Sequence, residues 1–322
     1  MLQRLPLIAV ALPGCQGTQS ALSPAGSEAE ATLTLFVVMS IGAAAIWFAV
    51  VAFVCFAVRS QRRVFAEPAA SRLVLWGGGV FPTVTLFALL TYAFWLMPTL
   101  RPSPTFRDAT DFRVEVTGRQ YWWQVVYVHR GLTIAAANEI RLPVGRRIEL
   151  LLKSDDVIHS FWIPSLGGKM DMIPGRENRL SLMAQRTGVF RGACAEFCGT
   201  SHAFMALTAV TMEPDAFDAW LASQAKASIN VAGEGRALFL RHGCGSCHRV
   251  AGTEAAGAAG PDLSHLGSRQ MLGAGIVANT EDNIAGFIAN PGAIKPGAAM
   301  PAFSMLAPQD IRAIAAWLKG LR

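Results

Sequence analysis

The chain has 322 residues, of which 52% are hydrophobic and only 16% charged. That length accommodates about two domains, and the composition is too apolar for an ordinary soluble protein. A formal net charge of +6 does not make it a nucleic-acid binder, because several arginines crowd one short loop and no basic stripe interleaved with aromatics occurs.

The first residues, MLQRLPLIAVALPGCQG, place an arginine, a short apolar run and a small residue before Cys15. This reads as a secretory signal over residues 1–15. The LPGC stretch is similar to a bacterial lipobox, which would make Cys15 a lipidated first residue; a plain signal with an incidental cysteine is the alternative. Residues 33–58 carry no charge and exceed the ~20 residues that cross a bilayer. Residues 73–97 form a second candidate span, in which Pro82 and the glycines at 77–79 are tolerable within a packed membrane helix. The loop between them holds Arg59, Arg62, Arg63 and Arg72. The positive-inside rule puts that loop in the cytoplasm and both ends of the hairpin (residues 30–100) outside. Everything after about residue 100 should then face the extracytoplasmic side of a bacterial plasma membrane. Cys55, inside the first span, is expected to serve packing.

Beyond a proline-rich link the texture becomes that of strands. DFRVEVTGRQYWWQVVYV, NEIRLPVGRRIELLLKSDD and RLSLMAQRTGVFRGACAE alternate apolar and polar residues between turn signals. Short strands at this rhythm over residues 110–225 predict a β-sandwich. EPDAFDAWLASQAK then predicts a helix leading to the next domain.

Within the sandwich, GACAEFCGTSHAFMAL collects Cys194, Cys198, His202 and Met205, and His159 lies upstream at the end of a predicted strand. Six cysteines occur in all, Cys15, Cys55, Cys194, Cys198, Cys244 and Cys247, and their two close pairs point to metal and haem chemistry more than to a disulfide scaffold. A mononuclear blue-copper site needs one cysteine, two histidines and a weak axial methionine, one sulfur fewer than this set provides. Zinc would leave Met205 idle. A disulfide between Cys194 and Cys198 would leave both histidines unexplained. Two copper ions bridged by both thiolates use every group, one imidazole for each ion plus weak axial donors.

CAEFCGTSHAFM, together with HSFWIP and KMDMIPGR, resembles the dinuclear CuA loop of cytochrome c oxidase subunit II, a likeness that spans the hairpin and the β domain, about residues 30–225. The resemblance implies a cupredoxin Greek-key sandwich. It implies His159, Cys194, Cys198, His202 and Met205 as side-chain copper ligands, with Glu196 binding through its main-chain oxygen. The Glu196 carboxylate would also reach a magnesium ion at the boundary with subunit I. Two positions depart from the family pattern. The aromatic run after GRQ begins with Tyr121 before Trp122 and Trp123, where the family places a tryptophan that takes electrons from soluble cytochrome c. Tyr121 and Trp122 are therefore either electron-transfer aromatics or part of a core cluster. Around Trp76 the chain has Arg72 and Leu73 in place of a glutamate that feeds a proton channel, which leaves Glu67 as the substitute.

A further domain begins at about residue 230. Cys244, Cys247 and His248 form C-x-x-C-H, the attachment signature of c-type haem, in which two thiols meet the vinyl groups and the adjacent imidazole meets the iron. Met300 and Met305 are the candidate sixth ligands. KPGAAMP resembles the methionine loop of class I cytochromes c, which selects Met300, and a thioether opposite imidazole raises the haem potential. By the same resemblance the carbonyl of Pro261 would steady His248, and His265 would be a surface or packing residue. The last residues have apolar positions at helical spacing and should pack across the domain's first helix, completing an all-α cytochrome over residues 230–322.

The order of two spans, CuA domain and cytochrome c domain resembles subunit II of caa-type oxidases. The implied protein accepts electrons at one haem c and passes them to two copper ions. From there they go to haem in subunit I for reduction of dioxygen, with proton translocation. Its implied partners are subunit I with its CuB, subunit III, an upstream cytochrome c or cytochrome bc complex, and membrane lipid. The alternative is a membrane-anchored copper and haem redox or sensor protein with no oxidase partner.

Overall fold

In the computed structural model the residues described are 16–60, 67–100, 112–129, 131–228 and 232–322; the expected signal and Cys15 lie outside them. The chain divides into two compact units, one of residues 31–102 and the other of residues 1–30 with 103–322.

The smaller unit is helical. Helix α1, Ser27–Arg59, is followed by α2, Glu67–Leu73, a π-helical turn, Val74–Val80, and α3, Phe81–Leu100. The runs Ser27–Arg59 and Glu67–Met97 have mean hydropathy 2.6 and 1.9 and are long enough to cross a bilayer. Pro82 has no N–H to give, and just before it the Phe81 N–H reaches back five residues to the Trp76 carbonyl. The Thr83 hydroxyl takes the Gly79 carbonyl. Large apolar side chains such as Phe48, Phe87 and Trp95 stay exposed, as a lipid-facing surface requires. Cys55 is exposed too, so the expected packing role is not met within this chain: it sits on the outer surface of α1.

The larger unit opens with a β-sandwich. Its strands are β1 Arg113–Arg119, β2 Trp122–His129, β3 Leu132–Ala137, β4 Glu139–Pro143, β5 Arg147–Ser154, β6 His159–Trp162, β7 Met170–Met172, β8 Asn178–Met183, β9 Gly188–Cys194 and β10 Ala206–Met212. One sheet runs β3-β2-β1-β5-β8 and the other β4-β10-β9-β6-β7. The β1–β5 and β10–β4 pairs are parallel and the remaining pairs antiparallel. The chain therefore passes between sheets as a Greek key. Alternation does the sorting: in β1, Val114, Val116 and Gly118 face inward while the residues between them stay partly exposed. Trp123, Tyr127, Leu150, Leu152 and Phe161 fill the interior. Helix α4, Pro214–Gln224, closes one end by setting Phe217 against Phe112 and Tyr127.

Residues 16–30 were not foreseen as part of this domain, yet they strap across it. The Ala25 N–H donates to Ser165 O at 2.6 Å, and the Gln185 N–H donates to Ala25 O at 2.8 Å. Glu28, only 5% exposed, takes the Arg147 guanidinium at 2.5 Å and the Met183 N–H at 3.1 Å.

The second domain contains α5 Glu234–Arg241, α6 Glu281–Ala289, α7 Pro291–Ile294 and α8 Pro308–Gly320. A two-residue ladder of β11 Met271–Leu272 and β12 Val277–Ala278 is added to the expected helices. Helices α5 and α8 cross as anticipated, with Phe239 and Trp317 rings 5.2 Å apart. Gly235 sits at the crossing, where a Cβ would strike the Ala313 carbonyl and Trp317. This domain rests against the sandwich. Arg191 Nη1 donates to Gly275 O at 2.9 Å, the Ala206 N–H to Ala274 O at 3.0 Å and Ser201 Oγ to Pro296 O at 2.5 Å.

Candidate metal and haem centres

The first centre is assembled by register. Pairing of β6 with β9 sets Phe161 opposite Cys194, and the Ala195 N–H donates to Ser160 O at 2.9 Å. His159 thereby comes to rest beside the start of the cysteine loop. It begins β6; it does not end a strand as its sequence position suggested, because pairing with β7 and β9, and not local alternation, defines this four-residue strand. The ring is 0% exposed. Gly118, across the sandwich, leaves the space it occupies: a Cβ there would lie 2.8 Å from the imidazole Cδ2.

The donor atoms form a short ladder. His159 Nδ1 is 3.8 Å from Cys194 Sγ, the two Sγ atoms are 3.9 Å apart, and Cys198 Sγ is 3.6 Å from His202 Nδ1. Met205 Sδ lies 3.9 Å from Cys198 Sγ, and the Glu196 main-chain oxygen lies 3.1 Å from Cys194 Sγ. A Sγ–Sγ separation of 3.9 Å is far beyond the ~2.05 Å of a disulfide. The atoms of His159, Cys194 and Cys198 all fall within 4.8 Å of one another, in a buried setting.

Electrostatics favour a thiolate here. The contact with Cys198 and, against burial, help from His159 hold the Cys194 thiol well below its ordinary value. Cys198, in the same contact and partly desolvated, is pushed up. The sequence reading missed Asp156, whose carboxylate meets His159 Nε2 at 2.7 Å. Burial alone would raise Asp156, but the Gln120 N–H and His159 outweigh it and hold the acid below its usual range. Burial likewise depresses His159, and Cys194 and Asp156 together reverse that, so the imidazole ends above its ordinary value. The signal was available as the acidic pair just before V-I-H, which a metal-binding histidine often needs as an outer partner.

Tyr121 is buried between the domains. Its hydroxyl accepts the Thr200 N–H at 3.0 Å, and a Cβ on Gly297 would lie 3.3 Å from its ring. Trp122 is only partly buried, with Arg119 5.6 Å from its ring centre. Glu196 is exposed, so its carboxylate is accessible while its carbonyl faces Cys194.

At the second centre Cys244, Gly245 and Ser246 form one tight helical turn. His248 Nδ1 lies 2.8 Å from Pro261 O; a carbonyl only accepts, so the proton is on Nδ1 and Nε2 offers a lone pair. Gly260 packs directly on the imidazole, with room for no side chain. Met300 is partly buried against the domain core, whereas Met305 is 75% exposed. His265 is buried, its Nε2 3.1 Å from Lys226 O, so it is a packing residue and not a surface one.

The chain is similar to known proteins over both domains. Residues 128–212 match the family described as cytochrome c oxidase subunit II, periplasmic domain, and residues 232–322 match cytochrome c. The chain is 32% identical, over 99% of its length and 96% of the relative's, to cytochrome c oxidase subunit 2 of Alkalihalophilus pseudofirmus. It is 31% identical, over 99% and 96% of the two chains, to the subunit 2 of Bacillus subtilis. A solved structure of the periplasmic domain of subunit II of cytochrome oxidase from Bradyrhizobium japonicum is 32% identical, with 36% of this chain and 95% of that chain covered at a TM-score of 0.34.

Proposed function

Since this chain belongs to the cytochrome c oxidase subunit 2 family, we propose that it accepts electrons at one covalently held haem c and passes them through a dinuclear copper centre to haem in subunit I, where dioxygen is reduced to water. It is a membrane-anchored oxidase subunit that works with subunit I. Its extracytoplasmic domains bind copper and haem c. The observation that carries the finer reading is the ladder itself: two thiols 3.9 Å apart, each with its own imidazole and its own weak donor.

That donor set fits two copper ions. His159, Cys194, Cys198, His202, Met205 and the Glu196 main-chain oxygen would hold them. The haem would be held by Cys244, Cys247, His248 and Met300. Bound in these places, the groups supply one-electron exchange. The chain's own residues keep that exchange fast and directed. Asp156 fixes the His159 ring so that Nδ1 faces the thiolates, and Pro261 holds Nδ1 of His248 so that Nε2 is left free. Burial of both thiols and of His159 excludes water, so little reorganises when charge changes. Tyr121, between the Met300 loop and the Cys198 loop, is well placed to couple the two domains, with Trp122 a less buried alternative.

Around the ligands, Val157, Ile158, Phe197 and Phe204 are exposed. This apolar rim suits closure by subunit I, and the exposed Glu196 carboxylate suits a magnesium ion at that boundary. Two spans with both ends outside, a subunit III, an upstream cytochrome c or bc complex as donor, and proton translocation with Glu67 near the uptake side complete the reading. Purification of the native membrane complex tests it: it should contain a subunit carrying haem and CuB and consume oxygen when given reduced cytochrome c. Recovery of the chain alone, or no oxygen consumption, would favour a redox sensor.

A further inference from the structure

Glu139 begins β4 of the sandwich and is 7% exposed, an unusual place for a carboxylate. Its Oε1 takes Arg141 in a fork, from Nε at 3.0 Å and Nη2 at 2.8 Å. Its Oε2 crosses to the other domain and accepts the Gln270 main-chain N–H at 3.1 Å. The preceding residue, Arg269, donates through Nη2 to the Asp262 carbonyl. Burial lowers the basicity of Arg269, and the carboxylates of Asp262 and Glu139 act against that. Asp262 adjoins Pro261, whose carbonyl holds His248, and the charges of Arg269 and Asp262 both reach that imidazole. A cavity of about 20 Å³ lined by Glu139, Arg141, Trp220, His265 and Arg269 lies between the domains. It has room for about one water.

We propose that Glu139 is a positioning residue of the copper domain that ties down the haem domain's 261–270 loop and sets the charge around His248. One carboxylate would thereby do two things: hold the domains in register for electron transfer and offset a buried guanidinium close to the haem ligand. The inference rests on the haem reading above for its second half only. The tie between domains is independent of any bound group.

Three variants of the full chain separate these parts. In Glu139→Gln the amide oxygen still accepts the Gln270 N–H, but the negative charge is gone. Oxidised haem is then disfavoured, and at a fixed poise the reduced-to-oxidised ratio should rise at least threefold, equivalent to about 28 mV at 59 mV per tenfold for one electron. Hydrogen exchange of the 269–276 peptide, measured on the same full chain as purified, should stay near that of the parent. In Glu139→Ala that exchange should quicken at least tenfold, because the acceptor is lost. Glu139→Asp should restore the potential. An unchanged potential in Glu139→Gln overturns the charge role, and unchanged exchange in Glu139→Ala overturns the tie. Absence of c-haem absorbance in the parent chain would sink the haem reading and leave the exchange result standing by itself.

Discussion

Gly118→Ala is the sharpest perturbation of the copper site that touches no ligand. The new methyl would lie 2.8 Å from Cδ2 and 2.9 Å from Cγ of His159, about 0.7 Å inside an ordinary carbon–carbon contact. The ring has no exposed face to move toward. Asp156 holds Nε2 at 2.7 Å, and the Trp123 ring centre stands 6.1 Å away. Relief must come from moving the imidazole by about half an ångström, well past the ±0.2 Å within which metal–ligand distances are held. Overpacking of this kind costs about 1–3 kcal/mol, so the sandwich should still fold. Copper affinity should fall about 10–100-fold, the loss typical of a displaced outer support. Copper titration of the full chain, followed by thiolate-to-copper absorbance and elemental analysis, measures this, with thermal unfolding and c-haem absorbance as internal controls. Parental copper stoichiometry and affinity in Gly118→Ala would refute the claim that Gly118 is there to make room for His159.

The other expectations concern the ligands, the strap and a buried amine. Met205→Leu should shift the copper potential and slow intramolecular transfer in stopped-flow reduction while the haem spectrum stays intact; unchanged copper kinetics would remove Met205 from the ligand set. Arg147→Ala leaves Glu28 buried beside Ser27 and the Met183 N–H without its guanidinium. It should destabilise the domain by about 1–3 kcal/mol in denaturant unfolding, and a loss below about 0.5 kcal/mol would make the strap incidental. Burial lowers the Lys295 amine to about 7, while its Nζ donates to Gly273 O at 2.7 Å. Between that value and the unfolded amine's, the unfolded chain binds the extra proton. Stability of the metal-free chain should therefore rise with pH across that window, by up to about 1.4 kcal/mol per pH unit. Below it the burial cost is present in full. Lys295→Met should remove that rise, and an unaltered pH profile would contradict the assignment.

The candidate donor residues of both centres were legible in the sequence because they are local. Cys194, Cys198, His202 and Met205 lie within twelve residues, and Cys244, Cys247 and His248 within five, so spacing alone confines the ligands. What escaped was set by long-range pairing. The sequence sets His159 at the end of a predicted strand, while the pairing that makes it a strand start comes from β7 and β9. Gly118 looks like any glycine in a strand until the opposite sheet supplies a ring. The strap of residues 16–30 carries no local mark of its partners, and Glu28 finds one as remote as Arg147. Glu139 carries no local mark at all. Its role depends on a domain that begins about ninety residues later.

The central claim is that two copper ions share a pair of thiolates on the same chain that holds one haem. It is tested most directly by metal analysis and electron paramagnetic resonance of the full-length subunit within its purified complex, with haem c counted on the same sample. After the contribution of the other subunits is subtracted, the account predicts two coppers for each haem c and a hyperfine pattern from one unpaired electron spread evenly over both nuclei. Zinc in the site, or one copper with the four-line pattern of an isolated cupric ion, would contradict it.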